Sequence, residues 1–356
     1  MTTIGQLMMV GVEGTKVTPE LRLFFKETGV GGVILFKRNY RNLKQLVDFI
    51  KGMQDASEKQ LMIAVDQEGG RVARFGEPFT KLPPMAALGR AGERRFELAE
   101  EVGALLGKEL AAVGVHIDFA PVLDVATNPF NPVIGDRAMA HEAAEVAALG
   151  SAFIRGMQGQ GVASCAKHFP GHGDTDVDSH LGLPMLNHTR RRFDACEFVP
   201  FRAAIDAGVA TMMTAHLLVP NLDHEAPASV SRKITTGILR REFGFNGLVF
   251  TDDLIMKGIA GCCSLGEAAW RSIAAGADVV LVCHDRDKQR EALEGLRRAV
   301  GDGLIGMPFI SDALGRVSAF KERFVLRASG SPPIAVIGCR AHQKIALKLQ
   351  KTMSLA

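Results

Sequence analysis

A (β/α)8 barrel, a single α/β domain, is the fold this sequence predicts, on two observations. Eight short, continuous apolar runs alternate with segments of helical period, and nearly every run is followed by polar or ionisable residues. Runs that are continuously apolar mark parallel strands buried on both faces. Eight strand–helix units suit a closed barrel better than an open sheet. In a barrel the C-terminal strand ends converge on one face, where sites are built.

The eight runs are Leu7–Val12, Gly32–Phe36, Leu61–Val65, Val115–Ala120, Val162–Ala166, Ala210–Thr214, Leu248–Thr251 and Asp278–Val282. The first is the least strand-like, and Val122–Arg137 reads as a long loop after the fourth. Helical periodicity covers Glu93–Val113, Glu142–Gln158, Arg191–Ala207, Ile234–Phe243 and Gly266–Ala275. Past the runs stand Lys37, Asp66, Asp118 and Asp124, Lys167 and His168, His216, Asp252 and Asp253, and His284. One polar strand end means little; seven together mark a site. Residues 1–327 are assigned to the barrel. Residues 328–356 are read as a linker (Ala328–Pro333) and a C-terminal appendage packed on the barrel, with a basic helical pattern over Arg340–Met353.

Composition narrows the function. Of 356 residues, 47% are hydrophobic, enough for a sizeable core. A net charge of +3 with no basic stripe argues against a nucleic-acid partner. The run Arg190–Arg192 reads as a solvated helix start. Six cysteines form no C-x-x-C pair, which argues against a disulfide framework or zinc knuckle and for a reducing compartment. The N-terminal stretch lacks a basic region followed by a continuous apolar one. No apolar stretch approaches the ~18 residues a membrane span needs. A cytoplasmic, monomeric protein with no membrane partner is expected.

The densest chemistry lies in Lys167–His180, KHFPGHGDTDVDSH, with three histidines, three aspartates and a lysine. Pro170, Gly171 and Gly173 oppose a helix, so His168 and His172 are not a helical ligand pair. The segment reads as a loop after the fifth strand, serving either a metal or an acid/base group. Asp178 beside His180 favours the latter, because a carboxylate orients an imidazole and raises its basicity. In GLVFTDDLIM, Asp252 directly follows a buried strand, where a covalent nucleophile would be rigidly placed. Its neighbour Asp253 is a candidate cap for the following helix, and the plainer alternative is that both aspartates are caps. In AVDQEGGRVARF, Gly69–Gly70 permit a tight turn. Asp66 with Arg71 and Arg74 suits sugar hydroxyls, or forms a structural ion pair. The segment NPVIGDR places Arg137 at the end of the long loop.

Together these segments resemble the single-domain β-N-acetylglucosaminidase (β-hexosaminidase) branch of glycoside hydrolase family 3. The K-H-F-P-G-H-G-D-T-x-x-D-S-H stretch is the most specific part, and the likeness covers roughly residues 1–325. The resemblance implies a cofactor-free, metal-free retaining glycosidase acting on a carbohydrate. It implies Asp252 as nucleophile, His180 as acid/base and Asp178 as its dyad partner. It further implies that Asp66, Arg74, Arg137, Lys167 and His168 bind the sugar. The substrate it implies is N-acetylglucosamine linked to 1,6-anhydro-N-acetylmuramic acid, met in cell-wall recycling. The proline and glycines of residues 170–173 lead us to expect that the segment Lys167–His180 closes over the sugar and carries His180 into place. Two rival readings are a metal-dependent barrel hydrolase, with His168, His216 and His284 as ligands, and a sugar-binding protein without catalysis.

Overall fold

Eight parallel strands close into a barrel in the computed structural model, which describes residues 3–176, 182–326, 330 and 332–353. In chain order the strands are β1 (Met8–Gly11), β2 (Gly32–Leu35), β3 (Met62–Val65), β4 (Gln67–Gly69), β5 (Val72–Ala73), β6 (Ile117–Asp118), β7 (Ala163–Phe169), β8 (Thr211–Thr214), β9 (Leu248–Asp253) and β10 (Val279–Val282). β4 and β5 form a separate antiparallel hairpin; the other eight make the barrel. Each of the eight apolar runs supplies one of them. Leu7–Val12, the least strand-like, closes the ring by pairing with both β10 and β2. Every residue of β1, β2, β3, β8 and β10 is buried, which is why these runs are continuous and not alternating.

The helices around the barrel are α1 (Pro19–Thr28), α2 (Leu43–Ala56), α3 (Ala86–Gly89), α4 (Arg95–Ala112), α5 (Ala143–Gln158), α6 (Arg190–Ala195), α7 (Phe198–Asp206), α8 (Lys257–Ala260), α9 (Leu265–Ala275), α10 (Arg286–Gly301), α11 (Met307–Lys321) and α12 (Arg340–Met353). A π-helical segment, Lys233–Glu242, fills the place between β8 and β9. The helix expected over Arg191–Ala207 is two helices, α6 and α7. Pro200 is the reason: it has no N–H for the Cys196 carbonyl and its ring would clash there, so it is tolerated only in the first turn of a new helix. Arg190–Arg192 does start a helix, with the Thr189 side chain as its cap. α12 packs on α3 and α4. Among the described residues, no helix is long and apolar enough to cross a membrane.

Two local expectations need correction. Lys167 and His168 are not in a loop: β7 runs on to Phe169, with a register shift against β8 between Ala166 and Phe169. Asp253 does not cap a helix. α8 begins at Lys257, and Asp253 Oδ1 instead accepts the N–H groups of Ile255 (3.2 Å) and Cys283 (3.1 Å), tying β9 to β10.

The opposite face of the barrel is held by charge. Asp278, at the start of the eighth barrel strand, is fully buried and accepts from Arg240 Nη2 (2.5 Å), Arg316 Nε (2.7 Å) and Val249 N (2.8 Å). Asp278→Asn keeps the shape but leaves two guanidinium groups without their counter-charge. Removing one member of a buried ion pair typically costs about 3–5 kcal/mol. Urea denaturation should show a loss of that order, with the activity of the folded fraction unchanged. A loss under about 1 kcal/mol would contradict the assignment.

Candidate active site

The C-terminal strand ends open into a cleft of about 500 Å³. Asp66, Arg74, Arg137, Lys167, His168 and Asp252, six of the eight site residues expected from the sequence, line it together. The other two, Asp178 and His180, lie outside the described residues.

Three cations and two carboxylates interlock on one wall. Lys167 reaches from β7 to Asp66 Oδ1 (2.8 Å) and Glu68 Oε1 (2.6 Å). Arg137 grips Glu68 with two hydrogen bonds (2.8 and 2.9 Å), and Arg74 reaches Asp66 Oδ2 (3.2 Å). The side chains of Lys167 and Glu68 are each only 3% exposed, so neither charge has water to fall back on. Burial alone would push both carboxylates toward protonation. The positive charges of Lys167, Arg137 and Arg74 outweigh it, and Asp66 and Glu68 are held below the ordinary carboxylate range. Lys167, in turn, loses stability as a cation through burial but recovers more from Asp66 and Glu68, so its pKa is raised. The ion pair allowed for between Asp66 and an arginine is therefore present, and its partner is Arg74. Arg71 instead staples the hairpin to the long loop through the Val133 carbonyl.

Asp124 organises the next stretch. It is fully buried and accepts from His168 Nδ1 (2.7 Å) and His172 N (2.6 Å). With Nδ1–H given to Asp124, the His168 Nε2 is left for the cleft that His168 lines. Asn131 bridges the two long loops. Its Nδ2 donates to the carbonyls of His172 (2.8 Å) and Gly173 (3.1 Å), and its Oδ1 accepts from Val133 and Ile134 N. A Cβ on Gly173 would lie 1.8 Å from the Val125 carbonyl oxygen, so glycine here serves close packing. Residues 170–173 are all buried. Gly171 packs on Glu197 and Gly173 on the Val125 backbone, and the end of the Lys167–His180 segment expected to close over the sugar, residues 177–180, lies outside the described residues.

The adjacent aspartates of β9 are chemically distinct. Asp253 is tied to backbone as described, and burial raises its pKa. Asp252 faces the cleft and accepts the Asp253 N–H (2.8 Å). Burial alone would raise its pKa too, but the positive fields of His168 and His216, that hydrogen bond and Lys167 bring it below the ordinary value. His216 is engaged at both ring nitrogens, by Ser229 Oγ (2.7 Å) and the Asp253 carbonyl (3.0 Å). His284 lies against the Phe36 ring, and His168 Nδ1 is committed to Asp124. Among the described residues no group of three His, Cys, Asp or Glu is arranged to hold a metal ion. His216, with both nitrogens on the protein, is not available to the metal-dependent rival.

The sequence reading passed over Glu68 entirely and gave Asp124 no role. A signal for Glu68 was present. In an extended segment residues two apart share a face, so Glu68 follows Asp66 toward the same site.

A closed parallel barrel with an ionised aspartate and a buried cation–carboxylate lattice at its C-terminal mouth fits a barrel glycosidase. The comparisons agree: the family model for the glycosyl hydrolase family 3 N-terminal domain matches residues 2–320, and the chain belongs to this family. A β-hexosaminidase of Tolumonas auensis is 41% identical over 291 residues, 82% of this chain and 86% of that protein. A family 3 β-N-acetylglucosaminidase structure from Paenibacillus superposes with a TM-score of 0.94 at 39% identity, covering 99% of this chain and 68% of that one. NagZ of Neisseria gonorrhoeae, solved with N-trifluoroacetyl-D-glucosamine, matches with a TM-score of 0.84 at 34% identity over 97% of both chains.

Glu68→Gln should loosen this wall in a pH-dependent way. The folded-state pKa of Glu68 is depressed, so its contribution is full above the unfolded value, near 4.5, and is lost as pH falls from there toward the folded value. Wild type should exceed the variant by about 3–5 kcal/mol at pH 7. The gap should narrow below pH 4.5 in chemical denaturation series. A gap that widens with acid would contradict the charge assignment.

Proposed function

We propose that this protein is a retaining exo-β-N-acetylglucosaminidase. Asp252 attacks the anomeric carbon of a terminal β-linked N-acetylglucosamine and forms a glycosyl ester. His180, oriented by Asp178, gives its proton to the departing oxygen. It then takes a proton from the water that cleaves the ester, so enzyme and histidine return to their starting states. The observation that carries this reading is the difference between the two aspartates: Asp252 faces the cleft with its pKa lowered, whereas Asp253 is spent on backbone. Asp66, Arg74, Arg137, Lys167 and His168 would hold the sugar, their charged groups shared with its hydroxyls and acetamido group. The names of the relatives, β-hexosaminidase and β-N-acetylglucosaminidase, support that choice of sugar.

The natural substrate we propose is N-acetylglucosaminyl-1,6-anhydro-N-acetylmuramic acid, with or without its peptide. The proposed setting is cell-wall recycling, with the protein acting in the cytoplasm as a monomer. The support is the resemblance of the K-H-F-P-G-H-G-D-T-x-x-D-S-H segment.

The test uses an aryl β-N-acetylglucosaminide and the matching β-glucoside, each with and without chelator. The first should be hydrolysed far faster, and the chelator should change nothing. Asp252→Asn should nearly abolish turnover at an unchanged melting temperature; near-normal activity would overturn the assignment. His180→Ala should depend on leaving group, because an activated phenol departs without an acid and a sugar alkoxide does not. In a series of phenols, log rate against phenol pKa should be markedly steeper in His180→Ala than in wild type. A wild-type slope would remove His180 from the acid role.

A further inference from the structure

The hairpin that carries Glu68 and leads to Arg74 is seated on segment 75–89. At its turn the Gly70 N–H donates to the Leu82 carbonyl (3.0 Å). A Cβ on Gly70 would come 2.9 Å from Pro84 Cα, so turn and segment meet without space for a side chain. At the other end Gln67 Oε1 accepts from Arg74 N (2.8 Å) and Phe75 N (3.1 Å). The Phe75 ring packs on Phe79 at 5.1 Å, and the Tyr40 hydroxyl donates to the Glu77 carbonyl (2.6 Å).

What pins this platform is Glu109 on α4, 1% exposed. Two of its bonds come from the platform: Thr80 N (2.9 Å) and Thr80 Oγ1 (2.6 Å). The other two come from the C-terminal segment: Gly338 N (2.9 Å) and His342 Nδ1 (2.8 Å). A buried carboxylate left with half its donors is costly, so the two sides hold each other in place. Gly338 sits at φ +64°, and a Cβ there would lie 2.2 Å from the Pro78 carbonyl oxygen. At the far end of α12 the single Thr352 hydroxyl proton is shared between the Ala87 carbonyl (2.8 Å) and the Leu349 carbonyl of its own helix (2.7 Å). The C-terminal segment therefore grips the platform near both ends.

We propose that the C-terminal segment 338–352, acting through Glu109 and the platform 75–89, is a positioning element for Arg74 and Glu68 and so sets affinity for the sugar. This rests on the assignment of that wall to the sugar subsite. His342 and Thr352 touch no reacting group; they act through the hairpin. Loosening the platform lets the hairpin sample positions in which Arg74 misses the sugar and Glu68 slips from Arg137 and Lys167, which weakens binding and leaves the chemistry at Asp252 in place.

The test compares wild type with His342→Ala and Thr352→Val, well below their melting temperatures. The Thr352 variant loses one bond at near-constant shape and guards against a His342 variant that folds poorly. Two quantities are read: amide hydrogen exchange across residues 66–75, and kcat and KM on an aryl β-N-acetylglucosaminide. Exchange at residues 67–75 should quicken. KM should rise on the order of fivefold while kcat changes less than about twofold. Faster exchange confined to residues 338–353 would overturn the coupling. Faster exchange at the hairpin with an unchanged KM would overturn its role in affinity. Should wild type itself not cleave the glycoside, the functional reading fails, and the exchange data still decide the coupling.

Discussion

Lys167 is a buried ammonium. Burying it is tolerable only because two carboxylates meet it at 2.8 and 2.6 Å. That requirement propagates outward. Glu68 must be held against Lys167, and Arg137 holds it with two parallel hydrogen bonds. Asp66 must face the same way, and Arg74 engages its other oxygen. Five side chains from three separate stretches of chain are thereby fixed in one arrangement, ahead of the sugar that the proposed function brings to them. Such preorganisation lowers the cost of ordering groups on binding. It also gives Asp252 a positive surrounding, with His168 and Lys167 among the groups that keep it ionised.

The same economy explains the loops. Asp124 and Asn131 each accept or donate several hydrogen bonds to backbone, and between them they bind the loop after β6 to the segment after β7. Irregular backbone buried at a barrel mouth must satisfy its polar groups somehow, and two side chains do most of it here. Gly173 lets these two stretches approach within contact distance, at the Val125 carbonyl. The platform beneath the hairpin follows the same rule, with Glu109 collecting donors from α4's two neighbours.

Much of this was legible in the sequence because the barrel writes itself plainly. Strands buried on both faces must be apolar throughout, so Gly32–Phe36 or Val162–Ala166 admits few other readings. Strand ends that turn polar gave Asp66, Lys167, His168 and Asp252, and all line the cleft. The failures at the site share a cause: they concern residues whose partners are remote in sequence. Glu68 matters through Arg137, 69 residues away, and Asp124 through His168, 44 away. Asp253 looked like a cap because one of its partners, Cys283 N, lies 30 residues away, just past the end of β10. Gly171 and Gly173 read locally as conformational freedom, because local propensity cannot register that Glu197 packs against the first and the Val125 backbone against the second. Local rules describe elements well, and tertiary contacts override them where the site is built.

At the centre of the account stands a covalent bond between Asp252 and the sugar. A fluorinated N-acetylglucosamine analogue with a good leaving group should form the glycosyl ester faster than water can break it. Protein incubated with it should gain the mass of one sugar, and peptide mapping should place that mass on the segment containing Asp252. Loss of activity with the adduct on another residue, or turnover of the analogue with inverted anomeric configuration and no adduct, would contradict the account.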